Sequence, residues 1–167
     1  ETATTVSSEI EQINDIPYHK FTDLSGKTRY YRKNNNEYYE YGTIDYGGVT
    51  DAPMIEYVFL KDNAPENTSW ETAVVDLTVA QIRVKGKLRF TITGKDFTQV
   101  IGGNSYDNLI AVYTELLISI DGGVNFTPSN PFTTIYAKGI GVVYTEIPKP
   151  YPNPNAQWEI KNYFLNP

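Results

Sequence analysis

Thr28-Arg29-Tyr30-Tyr31-Arg32-Lys33-Asn34-Asn35-Asn36-Glu37-Tyr38-Tyr39-Glu40-Tyr41 consists of two tyrosine-rich runs on either side of an asparagine tract. Tyrosine suits a pleated, half-buried surface, and asparagine tolerates the positive φ of tight turns. The stretch therefore predicts a β-hairpin. With Asn34 to Asn36 as a three-residue turn, Lys33 faces Glu37, Arg32 faces Tyr38, Tyr31 faces Tyr39 and Tyr30 faces Glu40. One side then carries Arg29, Tyr31, Lys33, Glu37, Tyr39 and Tyr41, and the other carries Tyr30, Arg32, Tyr38 and Glu40. Neither side is purely apolar, so some rings are left facing water. Arg29, Tyr30, Tyr31, Tyr38, Tyr39 and Tyr41 are accordingly the candidate ligand-binding residues. Rings flanked by Arg and Glu can stack on sugars or dock a protein. Cross-strand packing, at about 0.2–1 kcal/mol per aromatic pair, accounts for the same residues without a ligand.

The same grammar extends in both directions. Upstream, Thr2 to Val6 alternates as an edge strand, Asn14-Asp15-Ile16-Pro17 reads as a turn, and Tyr18 to Thr22 as a short strand. Ser7 to Ile13 would also suit a turn or two of helix. Downstream, Ile55 to Leu60 alternates, Asp62 to Ser69 is a polar loop, and Trp70 opens a strand running to about Leu77. Val79 to Val84 and Lys87 to Thr93 are expected to face each other across Lys85-Gly86. Gly102-Gly103-Asn104 precedes the longest expected strand, Asn108 to Ile120. Strands to Tyr136 and from Val142 to Glu146 flank Gly139-Ile140-Gly141. Pro148, Pro150, Pro152 and Pro154 then mark an extended connector, 147–156, to a last strand, Gln157 to Phe164. Many short strands separated by turns make an all-β, antiparallel chain. The expectation is a single domain over 1–167, a strongly curved open barrel or half-barrel, with a two-sheet β-sandwich as the alternative. Its core is expected to include Tyr57, Phe59, Trp70, Leu88, Phe90, Ile92, Ile110, Val112, Leu116, Ile118 and Val142.

Composition excludes more than it selects. The chain has 167 residues, 14 Lys and Arg against 20 Asp and Glu, and a net charge of −6. Nucleic acid and anionic membrane surfaces need a concentrated positive face, so neither is an expected partner. With no cysteine, disulfide scaffolds, thiolate metal sites and cysteine nucleophiles are excluded. The single histidine, His19, has neither metal-ligand spacing nor a serine elbow near it. No apolar run approaches the roughly 18 residues of a membrane span. No metal or cofactor is expected. The chain opens at Glu1 without methionine and is read as mature or trimmed.

Ser119-Ile120-Asp121-Gly122-Gly123-Val124-Asn125-Phe126 resembles an Asp-box, the Ser-x-Asp-x-Gly-x-x-aromatic hairpin of sialidases and other propeller proteins. There Asp121 should accept backbone N–H bonds across the turn while Phe126 folds back on the loop. The box is a structural device, and one copy supports a hairpin rather than a propeller. Its carboxylate density is below that of a dedicated calcium loop. Paired carboxylates for glycoside hydrolysis converge only in three dimensions, and no acid/base motif stands out in the sequence.

Three stretches carry a second resemblance. They are Tyr18 to Tyr41; Glu56-Tyr57-Val58-Phe59-Leu60-Lys61-Asp62-Asn63 with Thr68-Ser69-Trp70; and Phe97 with Tyr106-Asp107-Asn108-Leu109-Ile110-Ala111-Val112 and Tyr136-Ala137-Lys138-Gly139-Ile140-Gly141-Val142-Val143. Together they resemble a loosely defined set of uncharacterised secreted proteins and lipoproteins of Bacteroidetes. The resemblance implies export to the periplasm, outer-membrane surface or extracellular space, and a lipid-modified cysteine upstream. It implies no activity and no catalytic residue. The leading expectation is a non-catalytic envelope or surface protein that binds glycan or an apolar ligand. A structural or assembly component docking another envelope protein is the second class, and a carboxylate-based hydrolase the third.

Overall fold

The computed structural model describes residues 4–23, 26–44, 48–147 and 156–159. β1 (Thr4–Ile13), β2 (Ile16–Asp23), β3 (Thr28–Asn34) and β4 (Glu37–Thr43) follow one another as a meander; β5 (Val49–Thr50) joins a second sheet, and β6 (Met54–Lys61) returns beside β4. These make a five-stranded sheet in the order β1-β2-β3-β4-β6. β7 (Ser69–Glu71), β8 (Val75–Val79), β9 (Ile82–Ile101), β10 (Asn104–Ser119), β11 (Thr127–Ala137), β12 (Gly141–Ile147) and β13 (Ala156–Glu159) complete the other sheet. Its order is β13-β12-β11-β10-β9-β8-β5, with β7 also paired to β9. Every pairing is antiparallel, and neither sheet closes on itself. The all-β, antiparallel expectation therefore holds, as two open sheets. The proline-rich connector and the chain beyond Glu159 lie outside the described residues. Ser7 to Ile13 belongs to β1, not to a helix.

Tight turns set the registers. Asn14 and Asp15, at φ 51° and 64°, connect β1 to β2, and Gly102 and Gly103, at 58° and 86°, connect β9 to β10. Two-residue turns with positive φ match the twist of the strands they join. The same geometry falls on Ala80 and Gln81, at 48° and 68°, where the residue types give no turn signal. The expected turn at Lys85-Gly86 is thereby corrected: β9 runs straight through it, with Lys85 opposite Asp76 and Gly86 opposite Val75. Glycine is needed at 86 for space, since a Cβ there would lie 2.2 Å from Leu77 Cδ1.

The core between the sheets joins Ile44, Tyr57 and Leu60 to Leu77, Val84, Leu88, Phe90, Val112 and Leu116. Phe59, Trp70, Ile110 and Ile118 pack at its margin, and the Tyr57 and Phe90 rings stack across the gap at 6.1 Å. Every residue expected in the core is buried or packed at its margin except Val142, while Ile44, Leu60, Leu77 and Val84 belong to it without having been expected. Val142 is 50 % exposed and Val143 is buried. A register shift between Ile135 and Tyr136 inserts one residue in β12, which turns Val143 inward. Ile120, the last residue of the expected strand, is likewise exposed, in the turn that follows β10.

β10 is buried on both faces. While Val112 and Leu116 face the other sheet, Leu109 and Ala111 join Ile101, Tyr106, Ile135, Ala137 and Val143 in a second cluster. Register shifts near Leu109 and Ala111, with positive φ at Asp96 and Asn108, bend the far end of the β9–β10 ribbon. Bulges increase local twist and bend a strand in this way.

Candidate functional site

The tyrosine hairpin closes on a two-residue turn, Asn35-Asn36, with Asn35 at φ 54°. Asn34 belongs to β3 and faces Glu37, so every pairing moves by one from the expected register. Lys33 faces Tyr38, Arg32 faces Tyr39, Tyr31 faces Glu40 and Tyr30 faces Tyr41. A one-residue slip exchanges faces along a strand. The predicted faces are therefore corrected: Arg29, Tyr31, Tyr38 and Glu40 turn toward the other sheet, while Tyr30, Arg32, Tyr39 and Tyr41 share the outer face.

The inward set is a packed polar seam. Arg29 Nη1 donates to Glu40 Oε1 at 2.6 Å, and Glu40 is only 6 % exposed. Gly42 gives the carboxylate its room, since a Cβ there would lie 2.9 Å from Glu40 Oε1. The Tyr31 ring meets Phe21 and Phe59 edge-on, at 5.0 and 5.5 Å. Phe59 in turn contacts Tyr136 of the opposite sheet at 5.9 Å. Burial, reinforced by the Glu40 carboxylate, raises the Tyr31 phenol well above its usual range. Tyr136 is raised in the same way, by burial and then by Tyr31 and Glu40. Both phenols stay neutral at physiological pH. Tyr38, nearer the strand end, accepts from Lys33 Nζ at 2.8 Å and donates to Asp62 at 3.0 Å.

The outer set is open to solvent on the far side of the small sheet. Its centre is Arg32, whose guanidinium lies 3.8 Å from the Tyr39 ring centroid and 5.8 Å from that of Tyr18. Arg32 Nε donates to Glu56 Oε1 at 2.5 Å, and Tyr18 Oη donates to the same oxygen. Tyr18 is fully buried beneath this arrangement, whereas Tyr30, Tyr39 and Tyr41 are half-buried. The Tyr41 ring sits between Tyr18 and Tyr30, at 6.0 and 6.4 Å. Tyr39 Oη donates to Glu37 at 2.5 Å, and Lys61 pairs with Glu37 at 2.8 Å. At the other margin, Lys20 lies 3.7 Å from Glu11, which also accepts from Tyr30 Oη. The hydrogen bond from Arg32 holds Glu56 below the usual carboxylate range, and the bond from Lys61 does the same for Glu37.

Of the six residues singled out in the sequence, then, Tyr30, Tyr39 and Tyr41 come together on the accessible face. Arg29 and Tyr31 are packed inward, and Tyr38 is turned to that side. Sequence reasoning left Arg32 and Glu37 out of the candidate set, although both stand in the hairpin itself, and it missed Tyr18, Glu56 and Lys61. Nothing local flags these last three, because Tyr18 and Glu56 are 38 residues apart and meet only across the sheet.

Elsewhere, Asp121 makes the backbone bonds across its turn that the sequence predicts. Asp121 Oδ1 accepts from Val124 N at 3.1 Å and Asn125 N at 3.0 Å, and Ser119 Oγ donates to it at 2.5 Å. These bonds hold the Asp121 carboxyl far below its ordinary range. A cleft of about 350 Å³ lies at the β5–β8 edge, lined by Asp51, Asp76, Leu77, Thr78 and Arg83. Among the described residues there is no group of three or more metal-ligating side chains, and no helix long and apolar enough to cross a membrane. His19 is exposed on β2. No family model, curated protein or solved structure matches the chain.

Proposed function

We propose that this is a non-catalytic, exported envelope or surface protein that binds glycan on the outer face of its five-stranded sheet. The observation that carries the proposal is that Tyr30, Arg32, Tyr39 and Tyr41 share one accessible face, with Arg32 over the Tyr39 ring and Tyr41 against Tyr30. Such rings offer apolar surface to the C–H face of a sugar. The adjacent ion pairs offer donors and acceptors to its hydroxyls. A glycan fits this chemistry better than an apolar ligand, because the space between the sheets is occupied by the core side chains. A binding role fits better than hydrolysis, because Glu37 and Glu56 are both held low by cations. The general acid of a glycosidase needs a raised pKa. Export rests on the resemblance to secreted proteins and lipoproteins.

The test is a glycan-array screen of the chain beside a Tyr30→Ala/Tyr39→Ala/Tyr41→Ala variant. The expected result is a set of glycans bound by the parent and lost by the variant. Binding retained by the variant would move the site off this face, and a silent array would refute the glycan reading.

A further inference from the structure

The cations on the outer face are each paired with a carboxylate. Lys20 is paired with Glu11 at 3.7 Å, Arg32 with Glu56 at 2.5 Å and Lys61 with Glu37 at 2.8 Å. These are the cations that the five strands of the sheet place on this face, and each already holds a carboxylate. Arg29 and Lys33 fall on the other side of β3. An acidic sugar would have to take a cation from a carboxylate already in contact with it. It would then leave that carboxylate next to its own charge, within a chain of net charge −6. A neutral sugar meets no such exchange. Its hydroxyls can accept from the guanidinium and ammonium groups and donate to the carboxylates while the pairs stay intact.

We infer that the glycan taken by this face is neutral, and that the three ion pairs select against uronic and sulfated sugars. The inference rests on the reading of this face as a glycan site. Its origin is the matched pairing itself: an Arg–Glu or Lys–Glu couple has no net charge to give to an anion, yet keeps both a donor and an acceptor. Specificity then comes from repulsion as much as from attraction. A second consequence concerns salt. With no net charge drawn to the ligand, affinity should depend little on ionic strength.

The experiment uses the whole chain and titrates it calorimetrically with a matched pair of ligands, hexagalacturonate and its fully methyl-esterified form, beside neutral hexasaccharides of glucose and mannose. The titrations are run at low and at high sodium chloride. The expected result is binding of one or more neutral ligands, with hexagalacturonate about tenfold or more weaker than its ester, and neutral affinity changing by less than about threefold with salt. The Glu37→Gln variant removes the carboxylate from Lys61 at the exposed margin while leaving its ammonium over the Trp70 ring, 5.6 Å from the centroid, and should gain affinity for hexagalacturonate at low salt. Tighter binding of the acid than of the ester by the parent chain, steeply weakened by salt, overturns the inference while leaving the glycan site standing. Equal binding of the two, with no gain in Glu37→Gln, also overturns it. No binding of any ligand in the set overturns both the inference and the site.

Discussion

Substituting alanine for Gly86 tests whether β9 truly continues through this position. An ideal Cβ would sit 2.2 Å from Leu77 Cδ1 and 3.1 Å from its Cγ, where ordinary carbon contacts are about 3.5–4.0 Å. Leu77 is 1 % exposed and cannot swing into water. It must leave its rotamer or push the strands apart, and overpacking of this kind costs about 1–3 kcal/mol. Against that, replacing glycine stiffens the unfolded chain, which stabilises by about 0.4–1 kcal/mol. The net expectation is a loss of about 1–2 kcal/mol. Leu77→Ala alone should cost about 2–5 kcal/mol, through the cavity it opens. In that background the added methyl has room, so Gly86→Ala should become neutral or stabilising. The two sites then show a coupling of about 1–3 kcal/mol. Equilibrium urea unfolding of the parent, both single variants and the double variant measures all four terms from their midpoints, provided the slopes agree. If Gly86→Ala costs the same whether or not Leu77 is present, the cause is backbone conformation, as in a turn, and the packing argument is wrong.

Other perturbations have equally definite signs. Gln81 sits at φ 68° in the β8–β9 turn, so Gln81→Gly should raise stability by about 1 kcal/mol in the same urea assay; a loss would mean that the turn is built differently. Glu40→Leu removes the buried carboxylate that Arg29 Nη1 bonds. Because the Arg29 side chain is 35 % exposed and water compensates in part, the expected loss is about 1–3 kcal/mol, with Glu40→Gln milder; a Leu variant as stable as the parent would show the pair to be dispensable. The Asp121 carboxyl is held low in the folded chain, while the unfolded chain takes up a proton near pH 3.9. Its contribution is therefore complete at neutral pH and fades as pH falls below about 4. The melting-temperature gap between the parent and Asp121→Asn should narrow from pH 7 to pH 2.5, and a gap that widens would contradict the bonding described.

What could be read from the sequence depended on whether the signal was local. The Asp121 turn was legible, because its bonds run between Ser119 and Asn125. Strand alternation was legible wherever one face is buried, as at Leu88, Phe90 and Ile92. Turns were legible where Asn, Asp or Gly supplies positive φ, as at Asn14-Asp15 and Gly102-Gly103. The turn at Ala80-Gln81 was not, because neighbouring strands impose a conformation those residues do not favour. Gly86 misled for the converse reason, being small to fit Leu77 rather than to turn the chain. The hairpin register was the costliest miss. Tyr-Tyr on both strands suits either face, and three asparagines offer more than one turn. What distinguishes the registers is tertiary: Glu40 finds Arg29 and space over Gly42 inside, and Arg32 finds Tyr18, Tyr39 and Glu56 outside. The outer site was legible only as a tyrosine surplus, since Tyr18, Glu56 and Lys61 enter it from other strands.

Everything proposed for the outer face depends on that register. The most direct measurement is the set of cross-strand Hα–Hα contacts in the β3–β4 hairpin, by nuclear Overhauser spectroscopy of the isotope-labelled chain. Contacts are expected between Tyr31 and Glu40 and between Lys33 and Tyr38. Contacts between Tyr31 and Tyr39 instead would put Tyr39 and Tyr41 inside with Tyr31, expose Glu40, and dismantle the binding face.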